Sequence, residues 1–300
     1  MLLKTLPVLN NLPYLYIQTM ELSIVIPVFH SAKNALRHLP DVLSTLQGKF
    51  QEFEIIFIID NDDVNDELKA LLSLKERYEE VKIYQLNKNH GQHFATLSGY
   101  YFAKGDFIMS IDEDMTEYIS VICTTDAYKK SDAMYFFYDK DKMYNSNTRK
   151  ILSNVYKNLI YKIVNLKKHS TFRSISKPLR DKMLQNKHIF WNVDVMIFNN
   201  TDDIGSYEVR QCTITDHYSG YNYKKLFQFA FEIAYEHNTI FMNMLLAIIP
   251  TAIYYIINQD ILRTAIVYLF TVLVITTFFN TMKFFSPDTD NKILNALKEE

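Results

Sequence analysis

Apolar runs and helix-like segments alternate along the chain from Glu21 onward. Nearly continuous apolar runs predict strands at residues 22–28, 53–59, 81–86 and 106–111. Between them, apolar side chains recur every three or four residues, which predicts helices at residues 35–46, 67–79 and 92–103. Strands that are apolar on both faces and separated by helices are typical of a parallel sheet covered on two sides. The pattern therefore predicts an α/β fold, continued by a strand at 131–138 and a helix at 148–164.

The segments that follow the first four predicted strands carry side chains suited to binding a ligand. They are Phe29 and His30, Asp60 to Asp63, Asn87 to Gln92, and Asp112 to Asp114. Ligands of open parallel sheets bind beyond the carboxyl ends of the strands. We therefore expect these loops to line one crevice.

Asp112 and Asp114 are the most informative residues of that crevice. They follow an apolar strand, and because burying unpaired charge is prohibitive, both carboxylates are expected on the turn after it. Oxygen ligands there suit Mg2+ or Mn2+ carrying substrate phosphates, and such an ion would neutralise a diphosphate leaving group. The pattern thus favours a nucleotide-linked substrate. Residues 60–62 and 139–141 show the same Asp-x-Asp spacing, so a solvated turn stays the alternative for any single triplet.

Composition limits the class of protein. The chain has 300 residues, 48% of them hydrophobic, and a net charge of -2, so it can bury a substantial core and gives no indication of nucleic-acid binding. Cys123 and Cys212 form no metal or redox pattern, and small buried residues are the simpler interpretation. Residues 1–20 are apolar but interrupted by prolines, so we expect a poorly ordered or interfacial extension there and not a signal peptide.

Two longer apolar runs follow at residues 240–257 and 261–282. Each can span or nearly span a hydrocarbon core of ~30 Å at ~1.5 Å per residue, and a short polar segment separates them, so a tight membrane hairpin is expected. Lys224, Lys225 and Lys283 flank the hairpin on one side, which the positive-inside rule assigns to the cytoplasm. A buried helical hairpin of a soluble protein is the alternative.

These patterns divide the chain into segments. We expect an N-terminal extension at 1–20, an α/β domain at 21–222, an amphipathic juxtamembrane helix at 223–238, a transmembrane helical hairpin at 239–283 and a cytoplasmic tail at 284–300. The amphipathic helix suits the membrane interface because its polar side chains share one stripe, and packing against the α/β domain is the alternative.

The motif from Asn89 to Asp114 resembles that of a known family. The matching residues are Asn89, Gly91, Gln92, His93, Ala95, Gly99, Ala103, Gly105, Asp106, Asp112 and Asp114. Their order is similar to the donor-site signature of the family-two inverting glycosyltransferases, with Met115 and Thr116 where that family usually has Leu and Gln. The resemblance implies a GT-A fold, which is Rossmann-like with a mostly parallel sheet and helices on both faces, and a nucleotide-sugar donor. It implies a metal site at Asp112 and Asp114, and donor-binding residues at Pro27, Phe29, Asp60, Asn61, Asn89, Gly91, Gln92, Asp112 and Glu113.

The acceptor side resembles the dolichol-phosphate-mannose synthase branch of that family. Arg149 and Ser153 lie four residues apart on a predicted helix, so both can grip one phosphate, and Arg173 follows Phe172 as in a strand of that branch. A buried guanidinium in such a strand needs an anion. Catalytic roles are thus implied for Asp112, Asp114, Arg149, Ser153 and Arg173. Ile214 stands where the branch usually has an arginine facing the donor diphosphate.

The resemblance and the hairpin together predict an inverting, metal-dependent hexosyltransferase acting from a UDP- or GDP-sugar onto a polyprenyl phosphate such as undecaprenyl phosphate. We expect a multi-pass protein of a bacterial-type cytoplasmic membrane, with its catalytic domain in the cytoplasm, that serves cell-surface glycan synthesis. A phosphate acceptor is largely dianionic near neutral pH and needs no general base. One alternative extends a lipid-linked oligosaccharide, with Asp194 or Asp216 as base. Another is a catalytically weak nucleotide-sugar-binding membrane subunit, and a homo-oligomer is left open.

Overall fold

The computed structural model describes residues 20–29, 32–61, 66–138, 170–186, 192–209, 239–285 and 289–297. Several predicted features lie outside the described residues, namely His30, Asp62, Asp63, Asp139, Arg149, Ser153, Ile214, Asp216 and the amphipathic helix at 223–238.

The strands of the described part form one mixed sheet. They are β1 Leu22–Val28, β2 Phe53–Ile59, β3 Val81–Gln85, β4 Phe107–Ser110, β5 Ala133–Tyr138, β6 Arg173–Ser176 and β7 Ile204–Val209. Their order is β3-β2-β1-β4-β6-β5-β7, and of these strands only β6 runs antiparallel to its neighbours. The predicted α/β fold with a mostly parallel sheet is confirmed.

Helices pack on both faces of this sheet. The helices of the described part are α1 Lys33–Gln47, α2 Asp66–Lys75, α3 Gln92–Phe102, α4 Tyr118–Thr125, α5 Lys177–Gln185, α6 Val193–Asn200, α7 Thr239–Asn258, α8 Ile261–Phe285 and α9 Thr289–Ala296. Two of them, α7 and α8, follow the sheet in the chain. The first four strands and three helices start and end within a few residues of their predicted bounds, because each has its own apolar pattern. The sequence did not predict α4, α5, α6, α9 or β7.

Strand β1 lies in the interior of the sheet, between β2 and β4. Successive side chains of a strand point to opposite faces, and accordingly Ile24 and Ile26 belong to one buried cluster with Leu39 of α1. Val25 belongs to the opposite cluster, with Leu97 of α3. Each such side chain stabilises the fold by about 1.5–3 kcal/mol when fully buried. The loops at the carboxyl end of β1 therefore start from a rigid base.

Helix α3 lies very close to β1. A Cβ atom at Gly99 would come within 2.2 Å of Val25 Cγ1, so a larger side chain there would push the helix away from the sheet. Since α3 begins at Gln92, this contact also sets the position of the loop before the helix.

The C-terminal helices α7 and α8 pack side by side. Asn243 Nδ2 donates to Thr276 Oγ1 (2.9 Å), and the Tyr268 hydroxyl donates to the Met244 carbonyl (3.3 Å). Within the described residues, one helical segment, Ile261–Lys283, is long and apolar enough to cross a membrane. Helix α7 contains only a shorter apolar stretch, Leu246–Asn258, so length and hydropathy alone do not support the expected second span.

Helix α9 returns to the α/β domain. Ile293 and Ala296 are buried in the same cluster as the side chains of α3. Leu297, just after the helix, forms an isolated antiparallel bridge with Leu86, just after β3. The segment expected as a cytoplasmic tail therefore contains a helix that packs on the domain.

Candidate active site

Asp112 and Asp114 lie on a turn directly after β4. The Met115 amide closes the turn by donating to the Asp112 carbonyl (3.0 Å). The Asp112 carboxylate accepts from Gln92 Nε2 at the start of α3 and from Thr171 Oγ1 just before β6, the latter at 2.7 Å. Helix α3 and the segment before β6 therefore both fix the orientation of this carboxylate.

Burial raises the pKa of Asp112 from 3.8 to about 6. The Thr171 hydrogen bond opposes this rise in pKa, the nearby Asp114 carboxylate adds to it, and Arg173 and Gln92 oppose it. A carboxyl group that is hard to ionise by itself gains most from a neighbouring positive charge. The electrostatics of the turn therefore favour a cationic ligand.

The turn after β4 offers a metal ion two carboxylates, those of Asp112 and Asp114. Among the residues that the structure describes, no group of three or more His, Cys, Asp or Glu side chains could hold a metal by itself. Mg2+ is usually bound through one or two carboxylates together with substrate phosphates and water. Asp112 and Asp114, whose charges interact, fit a divalent ion that completes its coordination with substrate oxygens.

Asp60, just after β2, binds the backbone of the loop before α3. Its two carboxylate oxygens accept from the backbone amides of His90 (2.6 Å) and Gly91 (2.8 Å). Burial raises the pKa of Asp60, and these two amides offset part of the rise. The carboxylate thereby fixes the position of the loop that joins β3 to α3.

Within that loop, the backbone at Gly91 requires glycine. Its φ of 91° is in the region that L-residues rarely adopt, and this residue caps the N-terminus of α3. The Asn89 side chain accepts from the Gly91 amide at 3.0 Å and shapes the same turn. Asn89 and Gly91 therefore set the path by which the chain enters Gln92.

The end of β1 is tied to two neighbouring loops. The Phe29 amide donates to Glu113 Oε2 (2.9 Å), and Asn61 Nδ2 donates to the Phe29 carbonyl (3.5 Å). Gln85 Nε2 in turn donates to the Asn61 carbonyl (2.9 Å). Pro27 lies in β1 beyond its last pair with β4, so its missing N–H leaves no gap in that ladder. The predicted donor-side residues thus come together at the carboxyl end of the parallel strands, and their contact with a donor stays a prediction.

Arg173 is buried and already has an anion. Its guanidinium pairs with the carboxylate of Asp194, and the two residues are 1% and 2% exposed. Asp194 also accepts from the Tyr135 hydroxyl (3.0 Å). Burial alone would lower the pKa of Arg173, but Asp194 and neighbouring tyrosines raise it above its usual value. Asp194 therefore supplies an anion for the buried guanidinium, and the acceptor contact that the resemblance implied for Arg173 stays a prediction.

Thr171 is a site residue that the sequence did not reveal. It lies far from Asp112 in the chain, and the antiparallel pairing of β6 with β4 brings the two together. No local pattern marks such a contact. His93, which is part of the signature, accepts from the Val193 amide at 3.3 Å and so joins α3 to α6.

Residues 23–122 match the sequence model of the family described as Glycosyl transferase family 2. The matched segment extends from β1 into α4. It includes Asp60, the loop before α3 and the Asp112–Asp114 turn, where the predicted donor-side residues lie.

Curated relatives match over the same part of the chain. An uncharacterized glycosyltransferase of Synechocystis sp. is 32% identical over 100 residues, which are 33% of this chain and 31% of that protein. The undecaprenyl-phosphate 4-deoxy-4-formamido-L-arabinose transferase of Photorhabdus laumondii is 28% identical over 99 residues, 33% of this chain and 30% of that protein. The transferase of the same name from Proteus mirabilis is 28% identical over 97 residues, 32% of this chain and 29% of that protein. The chain thus matches less than a third of the length of these relatives.

Solved structures of low sequence identity share the fold. Glucosyl-3-phosphoglycerate synthase from Mycobacterium tuberculosis, crystallised with Mn2+, UDP-glucose and phosphoglyceric acid, gives a TM-score of 0.52 at 12% identity over 73% of this chain and 79% of that one. The same synthase crystallised with phosphoglyceric acid gives 0.51 at 11% identity, with the same coverage of both chains. The chain therefore matches the Glycosyl transferase family 2 model at residues 23–122, and it shares an α/β fold of the GT-A type with these structures.

Proposed function

We propose that this protein is an inverting glycosyltransferase that moves a hexose from a nucleotide sugar to a polyprenyl phosphate. The observation that carries the proposal is the Asp112–Asp114 turn, which lies at the same edge of the sheet as the loops after β1, β2 and β3. The family-two domain supports glycosyl transfer, and two relatives are named as undecaprenyl-phosphate sugar transferases. Those names support the acceptor, while the sugar and the nucleotide base are left open.

On the donor side, Asp112 and Asp114 are the residues that would hold a divalent ion. When bound, Mg2+ or Mn2+ stabilises the negative charge that develops on the departing nucleoside diphosphate. Gln92 and Thr171 keep the Asp112 carboxylate in one orientation, so it needs little rearrangement when the donor arrives. Asp60 holds the loop before α3 in place beside the donor.

On the acceptor side, the substrate supplies its own nucleophile. A phosphate monoester is largely dianionic near neutral pH, so its oxygen can attack the sugar without a general base, and the protein has mainly to position it. We assign that positioning to Arg149 and Ser153. Arg173 influences the site electrostatically, because its positive charge lowers the pKa of Asp112. Within the core, the carboxylate of Asp194 compensates the charge of Arg173.

The packing of α9 supports a hairpin topology. Helix α8 is long and apolar enough to cross a bilayer, and the 20 residues of α7 reach ~30 Å at ~1.5 Å per residue. The α/β domain precedes α7, whereas α9 follows α8 and packs on that same domain. The chain between the two must return to the side from which it started, so α7 crosses if α8 crosses. By the positive-inside rule, Lys283 at the end of α8 supports a cytoplasmic location for that side.

The nearest alternative is the extension of a lipid-linked oligosaccharide, whose hydroxyl nucleophile needs a general base. Asp194 is poorly suited to that role, because it is buried against Arg173 and accepts from Tyr135. This arrangement argues against Asp194 as the base, whereas the other candidate, Asp216, lies outside the described residues. A nucleotide-sugar-binding subunit, the other alternative, would bind the donor without turning it over.

One experiment separates the three functions. Purified full-length protein is incubated with a panel of UDP- and GDP-sugars, with Mg2+ or Mn2+, and with either undecaprenyl phosphate or a lipid-linked saccharide. Mass spectrometry should find an undecaprenyl-phosphate hexose for one donor. An elongated saccharide would support the first alternative, and nucleotide binding without any product would support the second. Absence of both binding and product across the panel would reject all three.

A further inference from the structure

Helix α9 contacts the donor-side loop that follows β3. The Asn87 amide donates to the Ala296 carbonyl (2.8 Å), beside the bridge between Leu86 and Leu297. Ile293 of the same helix is fully buried on the domain. The end of β3 and the end of α9 are thus joined both by backbone contacts and by a buried apolar side chain.

The side chain of Asn87 extends this connection into the loop. Its Nδ2 donates to the Asn295 carbonyl (3.2 Å), and its Oδ1 accepts from His90 Nε2 (2.9 Å). Burial, together with the charges of Lys88 and Lys292, lowers the pKa of His90. The amide oxygen of Asn87 can only accept, so Nε2 of His90 is the donor in this contact. A single amide therefore bridges the carbonyl end of α9 and the imidazole of His90.

His90 connects Asn87 to Asp60 at the end of β2. Its backbone amide donates to Asp60 Oδ1 (2.6 Å), and its ring stacks on Phe94 with 4.8 Å between ring centroids. The next amide, that of Gly91, donates to Asp60 Oδ2 (2.8 Å). Hydrogen bonds thus run from α9 through Asn87 and His90 to the carboxylate at the end of β2.

We propose that Asn87 is a positioning residue for the nucleotide donor and that helix α9 is the support through which it acts. The proposal rests on the proposed function, because it takes the loop before α3 as part of the donor site. Residues 87–91 belong to no helix or strand, so contacts from outside the loop add to the Asn89–Gly91 bond in holding its backbone. Since α9 directly follows α8, the segment that leaves the membrane also holds the donor loop.

Two variants of the full-length protein test this. Asn87→Ala removes both side-chain bonds of the bridge and leaves the backbone bond to Ala296. Its control is Asn295→Ala, because only the backbone carbonyl of Asn295 takes part. Ile293→Asp places a charge in the buried contact of α9, and Leu294→Asp places the same charge on an exposed position of the same helix (48% exposed).

Three measurements are made on each variant: hydrogen–deuterium exchange of peptides covering residues 86–94, calorimetric binding of UDP and GDP, and the KM for undecaprenyl phosphate. Asn87→Ala should weaken binding of the nucleotide that the wild type prefers by about three- to tenfold, the range for one or two lost hydrogen bonds. Ile293→Asp should weaken it by at least about tenfold, since a charge in a buried apolar contact releases the helix. Exchange should be faster in both variants, with the acceptor KM unchanged. Both controls should match the wild type.

Wild-type exchange and nucleotide affinity in Asn87→Ala and Ile293→Asp would overturn the inference. A parallel loss of donor affinity and acceptor KM, together with a lower melting temperature, would also overturn it, because that pattern indicates general unfolding. If the wild type itself binds neither UDP nor GDP, the proposed function fails. The exchange data then decide separately whether α9 holds the loop.

Discussion

The buried pair of Arg173 and Asp194 should be essential for stability, and the change Asp194→Asn tests this. The substitution keeps the size of the side chain and an acceptor oxygen, but it leaves the guanidinium as an uncompensated charge at 1% exposure. Breaking a buried ion pair from one side costs about 3–5 kcal/mol. For a domain of about 150–250 residues, each kcal/mol shifts the melting temperature by roughly 2–4 °C, so we expect a decrease of about 6–20 °C.

The assay is thermal unfolding of the full-length protein in detergent. Asp181→Asn is the matched control, because Asp181 also pairs with an arginine, Arg180 Nε at 2.6 Å, but its side chain is 49% exposed. Exposed pairs contribute only about 0–1 kcal/mol, so the control should lower the melting temperature by less than about 4 °C. Equal shifts for the two variants would refute the reasoning that the inner pair carries a buried charge.

A double variant separates this structural role from acceptor binding. Replacing both partners by methionine, Arg173→Met with Asp194→Met, removes the unpaired charge and should recover most of the lost stability, since buried pairs are often replaceable by apolar residues. If Arg173 acts only through the core and through Asp112, the recovered protein should keep the wild-type KM for undecaprenyl phosphate. A stable double variant with a raised acceptor KM would restore the direct contact that the sequence led us to expect.

Four further outcomes follow from the site and the hairpin. Asp114→Asn should reduce turnover by at least ~100-fold in the product assay, the scale of losing a principal electrostatic stabiliser, and unchanged turnover would remove the metal site. The pKa of Asp112 is raised from 3.8 to about 6 in the folded protein, so the folded state binds this proton more tightly than the unfolded chain does. Protonation therefore stabilises the metal-free protein fully below about pH 4, and this stabilisation is lost as the pH rises through 6. Melting curves in EDTA should show that loss in the wild type and not in Asp112→Asn. Arg149→Ala should raise the KM for undecaprenyl phosphate while calorimetric donor binding stays within about threefold, and the reverse pattern would exchange the two substrate sides. Cysteine labelling should reach position 259 from the far side of the membrane and position 290 from the cytoplasm, and labelling of both from one side would reject the hairpin.

Local sequence patterns determined the strands and helices of the donor half, and with them most of the crevice. Strands β1 and β2 coincide with their predicted bounds, because a continuous apolar run between polar turns needs little tertiary information to be recognised. The rule that ligands bind beyond the carboxyl ends of parallel strands then placed Asp60 and Asp112 at one edge. Gly91 was found through its motif, and the structure supplies the physical reason, a positive φ.

Tertiary structure alone decided the contacts between segments distant in the chain. Thr171 reaches Asp112 only because β6 pairs antiparallel with β4, and no periodicity near residue 171 indicates that partner. The sequence showed that a buried Arg173 needs an anion, but it could not show that Asp194 supplies it, because a charge pair across two elements depends on how they pack. The same holds for α9: an eight-residue helix has too weak a pattern to reveal where it docks, and its place beside Asn87 results from long-range packing.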